Sequence, residues 1–124
     1  MNHITVTGNV GRDPELRFSN GGMAILKFSI GDTTGKDEKK KTSWHDIVVF
    51  GDQAQNVAEH VKKGSRLMIM GRLSAETYEK KDGTKAKKVE IIADEIAISV
   101  KYSRDNINKL AEVFGAEVET EDAF

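Results

Sequence analysis

The three histidines, His3, His45 and His60, are the first place to look for acid–base or metal chemistry, and none is set up for it. No H-E-x-x-H, H-x-x-E-H or H-x₃-H arrangement occurs. His45 and Asp46 are neighbours, and on a strand they would face opposite ways, so they cannot form a dyad. The chain has no cysteine, which excludes disulfides, zinc fingers, thiol catalysis and iron–sulfur clusters. No G-x-S-x-G, Walker A or G-x-G-x-x-G pattern is present. Gly8, Gly11, Gly21 and Gly22 have the wrong spacing for a phosphate cradle. The carboxylates are interleaved with lysines, as on a solvated face. The expectation is a protein that is not an enzyme and needs no metal or cofactor.

What these residue types can do is bind. Trp44 and Phe50 lie six apart in one β-like run, so they share a face, about 20 Å apart at ~3.3 Å per residue. Tyr78 follows on a later strand, just before a basic hairpin. The loop 36–41 and the hairpin 80–88 together hold nine lysines: Lys36, Lys39, Lys40, Lys41, Lys80, Lys81, Lys85, Lys87 and Lys88. Spaced rings with mobile cations around them suit a single-stranded nucleic acid. Bases stack on the rings for ~1–3 kcal/mol each, and phosphates take up the positive charge. Each feature alone has a plainer reading. A lone Trp on a strand is more often core, and lysine-rich tips usually only solubilise.

The elements that must hold these residues follow from periodicity. Ile4, Val6 and Val10 alternate with Thr5, Thr7 and Asn9, a half-buried strand, with Gly8 and Gly11 marking a bulge or bend. Arg12-Asp13-Pro14 is a turn, 15–18 a short strand, and Asn20-Gly21-Gly22 another turn. A strand from about Ala24 to Ile30 leads into the polar segment 31–41, read as an exposed loop or hairpin tip. The next strand, about Thr42 to Phe50, points Trp44, Asp46, Val48 and Phe50 one way and His45, Ile47 and Val49 the other. Phe18 and Phe28 are assigned to the core.

A helix follows. Asp52 is its expected N-cap, with Gln55 completing a capping box. Ala54, Val57, Ala58 and Val61 line one side. Lys62 and Lys63 sit at its negative end, and Gly64 is the left-handed terminator. A strand from Arg66 to about Tyr78 turns at Asp82-Gly83 into one from about Lys85 to Ala93, continued by Ile96, Ile98, Val100 and Tyr102. Ile107, Leu110, Val113 and Phe114 suggest a short helix ended by Gly115, and residues 116–124 are expected to be disordered.

With 124 residues the chain suits one domain. No apolar run approaches the roughly 18 residues of a membrane span. Met1-Asn2-His3-Ile4 has neither a charged nor an apolar leader character, so a cytoplasmic protein without a membrane partner is expected. The net charge of −1 hides an asymmetry. Residues 1–109 carry 19 Lys and Arg against 15 Asp and Glu, a balance of +4, while 110–124 carry five acids and no base, −5.

In order along the chain, several segments resemble the bacterial-type single-stranded DNA-binding protein (SSB) family. They are Gly8-Asn9-Val10-Gly11-Arg12-Asp13-Pro14-Glu15-Leu16-Arg17, Asn20-Gly21-Gly22, Trp44-His45-Asp46-Ile47-Val48-Val49-Phe50-Gly51, Lys62-Lys63-Gly64-Ser65, Gly71-Arg72-Leu73 and the turn Asp82-Gly83. Any one is weak; together they are specific over residues 1 to about 102. The resemblance implies an all-β OB-fold, a five-stranded Greek-key barrel with one helix between strands 3 and 4, and an acidic C-terminal tail. Residues 1–102 would be the ssDNA-binding domain and 103–124 the possible helix and partner-binding tail. It implies sequence-nonspecific coating of single-stranded DNA in replication, recombination and repair, in the cytoplasm of a bacterium, at its nucleoid, or of a phage-infected cell.

Residue by residue, the resemblance implies that Trp44, Phe50 and Tyr78 stack on bases and that His45 lies at a subunit contact. The usual assembly is a homotetramer, with a dimer as the alternative. Lys62, Lys63, Arg72, Lys80, Lys81, Lys85, Lys87 and Lys88 are expected to meet phosphates. The tip Glu121-Asp122-Ala123-Phe124 matches the family's acidic end, which docks on replication and repair proteins, though no Ile-Pro precedes it. Three features depart from the family. A further Trp in the loop after the second strand is missing. Asp46 and Asp52 stand where basic residues are common, which should weaken DNA binding or shift its path. The long Gly/Pro/Gln-rich linker is absent, as in some phage-encoded members. Two other readings are an OB-fold adaptor with weak DNA binding and an OB-fold RNA binder, the latter told apart by competition between poly(U) and poly(dT).

Overall fold

The computed structural model describes residues 1–101. The expected helix after Ser103 and the acidic tail, including Glu121–Phe124, lie outside the described residues. Six strands and one α-helix follow in order: β1 (Ile4–Val10), β2 (Glu15–Phe18), β3 (Ala24–Thr34), β4 (Lys41–Phe50), α1 (Asp52–His60), β5 (Arg66–Glu79) and β6 (Lys85–Ile98). Only the tip 35–40 of the expected polar loop is outside the strands, and it carries a 3₁₀ turn at Asp37–Lys39.

The strands run in the order β1-β5-β6-β4-β3-β2, and β1 also pairs with β3 through Asn9↔Gly31 and Val10↔Ile30. That second pairing closes five strands into a barrel and leaves β2 as an appendage on β3. Without the short β2, the helix falls between the third and fourth strands, as the OB-fold requires. Closure brings two backbones very close: a Cβ on Gly8 would fall 2.5 Å from the Gly31 carbonyl oxygen. Only residues without side chains allow that approach.

Alternation fills the barrel. Leu26, Ile30, Val49, Leu67 and Ile69 are fully buried, with Val6, Val10, Phe28, Ile47 and Ile91 packed among them. Each such side chain contributes about 1.5–3 kcal/mol of apolar burial. The helix plugs one end with Ala54 and Val57, and Val61 just beyond it. Phe18 does not join the core; it is 60% exposed. The reason is its place on β2, an edge strand outside the closed barrel whose four residues are all exposed.

The helix termini also differ from expectation. Gly51, at φ +74, is the N-cap, and no side chain caps the helix. The chain must turn sharply out of β4, and its left-handed backbone favours glycine over Asp at the cap. Asp52 is instead the first helical residue, at the positive end of the dipole. The helix ends at His60 and Val61 is already extended. Gly64, at φ +91, therefore serves the following turn, closed by Ser65 N–H to the Lys62 carbonyl at 3.0 Å.

The β5–β6 ladder shifts register between Met70, paired with Glu95, and Gly71, paired with Ala93. Asp94 is thus the extra residue of a bulge. Gln53 of α1 reaches it: its Oε1 accepts from Ile96 N–H at 2.8 Å and its Nε2 donates to the Asp94 carbonyl at 3.3 Å. One helical side chain thereby satisfies backbone groups the bulge releases and docks the helix on the barrel.

Candidate nucleic-acid interface

The outer face of the barrel is read from strand register. Between β3 and β4 the outward pairs are Ile25↔Phe50, Lys27↔Val48, Ser29↔Asp46 and Gly31↔Trp44. The parallel pairing Val48↔Ile92 carries this face onto β6, and Ile92↔Arg72, Glu90↔Ser74, Lys88↔Glu76 and Ala86↔Tyr78 carry it onto β5. Trp44, Phe50 and Tyr78 consequently share one face of a four-stranded surface, and Arg72, Lys27 and Lys88 share it with them. Tyr78, six residues beyond Arg72, lies toward the Trp44 end of the surface. All three rings are open to solvent, at 61%, 43% and 49% exposure, so none is a core residue.

Trp44 is held by two glycines. A Cβ on Gly11 would fall 2.5 Å from its Cζ3, and one on Gly31 would lie 3.1 Å from Cζ3 and Cη2. The indole therefore lies against bare backbone. Gly11 is itself fixed by its N–H donating to the Ser29 carbonyl at 3.0 Å. This support costs the ring little exposure and fixes its orientation.

The expected phosphate residues do not form one cluster. Arg72 and Lys88 lie on the aromatic face, and Lys88 also pairs with Glu90 at 3.6 Å. Lys85 and Lys87, paired with Glu79 and Thr77, alternate to the reverse of the hairpin. Lys80 and Lys81 are at its tip, where Gly83 N–H donates to the Lys80 carbonyl at 2.9 Å. Lys62 and Lys63 sit in the turn after α1, beside the Arg12–Pro14 loop; Lys63 N–H donates to Asp13 Oδ1 at 2.7 Å.

The hairpin tip is stiffened by Asp82, whose Oδ1 accepts from Thr84 Oγ1 at 2.6 Å and Thr84 N–H at 3.0 Å. These bonds, the hydroxyl first, hold its carboxyl below the ordinary carboxylate value. Because the folded group is the stronger acid, this support is complete at neutral pH and is lost as pH falls through the lowered value.

A groove of about 480 Å³ runs along the same face. It is lined in part by Arg12, Arg17, Lys27, Lys88, Glu15, Asp46 and Glu90. Arg12, Arg17 and Lys27 were not among the residues expected to meet phosphates. Lys27 was within reach, since Ile25, Lys27 and Ser29 alternate with the buried Leu26, Phe28 and Ile30. Arg12 and Arg17 had no comparable signal, because loop and edge-strand positions are set by tertiary contacts.

His45 lies on the opposite side of β4 from Trp44, half-buried and paired with Ile30, and its Nε2 is buried without a hydrogen-bond partner. Among the described residues no His, Asp and Glu side chains converge as a metal site would, and no helix is long and apolar enough to cross a membrane.

The sequence model of the single-strand binding protein family matches residues 1–99. The single-stranded DNA-binding protein of Paenarthrobacter aurescens is 37% identical over 113 residues, 86% of this chain and 66% of that protein. Its namesake in Mycolicibacterium smegmatis is 35% identical over 113 residues, 86% of this chain and 68% of that protein. The one in Corynebacterium glutamicum is 34% identical over 114 residues, 86% of this chain and 51% of that protein. The chain thus spans between about half and two thirds of the length of these relatives. A match running over almost every described residue, on a closed barrel with an exposed aromatic face, means that the chain belongs to the single-strand binding protein family.

Proposed function

We propose that the protein binds single-stranded DNA by stacking bases on Trp44, Phe50 and Tyr78, coating the strand without catalysing any reaction. The observation that carries this reading is the presence of three exposed rings on one face with Arg72, Lys27 and Lys88 among them. The names of the relatives point the same way. Lys62, Lys63, Lys80, Lys81, Lys85, Lys87 and Lys88 with Arg72 supply mobile charge for phosphates. Their dispersed placement suits a strand that wraps around the barrel rather than one that lies along a single groove.

Trp44 is the only tryptophan, so it is its own probe. Titration with poly(dT) should quench its fluorescence, with an affinity that falls as salt rises because bound phosphates release counterions. No quenching at low salt would overturn the reading. The wider role is in replication, recombination and repair, in the bacterial cytoplasm. The tip Glu121-Asp122-Ala123-Phe124 recruits partner proteins, with Phe124 in an apolar pocket whose basic rim holds its carboxylate and Asp122. The working form is a homo-oligomer, a tetramer in preference to a dimer.

One observation favours a second reading, an adaptor with weak DNA binding: Asp46 stands between the rings on the same face. A tail-dependent pull-down of partners without poly(dT) affinity would favour that reading instead.

A further inference from the structure

Three carboxylates line the groove on the aromatic face, and they are not equivalent. Glu15 lies 3.6 Å from Arg17 and Glu90 lies 3.6 Å from Lys88, so each has a cation beside it. Asp46 has none within ion-pair distance among the described residues. Its Oδ1 accepts from Ser29 Oγ at 2.8 Å, which fixes the carboxylate and leaves Oδ2 open. On its strand it is two residues from Trp44 and four from Phe50, about 7 and 13 Å at ~3.3 Å per residue. It is therefore an oriented, uncompensated anion between two stacking platforms.

A phosphate is disfavoured against such a group, so a strand stacked on the rings gains by carrying its backbone past the flanking cations and turning base edges toward Asp46. A carboxylate can only accept hydrogen bonds. Cytosine offers it the N4 amino group. Thymine offers one N3–H, flanked on both sides by carbonyl oxygens that repel the carboxylate. We propose that Asp46 reads base edges and tilts this face toward cytosine over thymine, with Ser29 as the residue that positions it. The inference rests on the stacking reading above.

The test compares oligo(dC) and oligo(dT) of equal length by Trp44 quenching, at mildly alkaline pH where oligo(dC) does not fold on itself. Asp46→Asn keeps the shape but presents both a donor and an acceptor, so it accommodates either base. Its dC-to-dT affinity ratio should fall by roughly threefold to tenfold relative to the native chain, the net range of one solvent-exposed hydrogen bond. Ser29→Ala should lower the ratio in the same direction while leaving the charge in place. If Asp46→Asn raises affinity for both oligomers equally, Asp46 acts by repelling phosphate alone and the inference is wrong. An unchanged ratio in both variants overturns it too, with the stacking reading intact. Failure of the native chain to bind either oligomer overturns both.

Discussion

Trp44 lies on backbone rather than among side chains, and this determines how substitutions around it should behave. On the proposed stacking role, Trp44→Ala should weaken poly(dT) binding by about 1–3 kcal/mol. Lys88→Ala, by contrast, should remove about one phosphate contact and lower the slope of log affinity against log salt by roughly 0.7. Equal losses of affinity in the two variants would contradict the assignment of the ring as platform. Gly11→Ala is the more pointed case. The new Cβ would stand 2.5 Å from Cζ3 of the indole, so the ring must move. Gly11 has no positive φ, so the backbone itself tolerates alanine. Binding should weaken by a sizeable part of the Trp44→Ala loss while the thermal midpoint stays nearly unchanged, as paired quenching titrations and melts would register. The parity that puts Trp44 and Phe50 on one face is legible in the chain, because side chains of one strand alternate. The glycine support is not, because Gly11, Gly31 and Trp44 meet only when β3 and β4 pair and the loop after β1 folds over them.

At the scale of elements, the helix and the bulge depend on each other. Gln53 satisfies the Ile96 N–H and caps the Asp94 carbonyl from across the barrel. Gln53→Ala should leave the partly buried Ile96 N–H without its partner and cost about 1–3 kcal/mol. Urea denaturation would register this as a lower midpoint at unchanged slope; an unchanged midpoint would mean that water replaces the side chain. Periodicity is enough to place α1, because four small apolar residues recur at helical spacing. It misjudges the cap, since the sharp exit from β4 is a demand of the barrel and makes glycine, not Asp52, the favoured residue at the cap. The bulge at Asp94 is only partly legible in the chain. Its trace in the chain is a shift of apolar parity from Ile91 and Ala93 to Ile96 and Ile98, and only the pairing with β5 on both sides shows that Asp94 is the extra residue.

For the whole molecule, a net charge of −1 combines a body of +4 with a tail of −5. On the proposed function, so small a positive balance leaves stacking to supply much of the affinity for a strand. On the proposed role of the tip, deleting residues 120–124 should abolish partner binding and leave poly(dT) affinity equal or higher, any rise appearing at low salt, where the charge of the acids is least screened. Partner binding that survives the deletion would exclude the tip as the docking element. Composition, alternation and turn signals were enough to name the strands and the helix, to exclude thiol and known-motif chemistry, and to put Trp44 and Phe50 together, because each depends on neighbours in the chain. Whether Tyr78 joins them, whether Lys85 and Lys87 turn away, and whether Phe18 is buried could be known only from the closed barrel. Those outcomes depend on register between strands distant in sequence and on which strand is left at the edge. Both are fixed by how β1 meets β3 and β5, not by any local pattern.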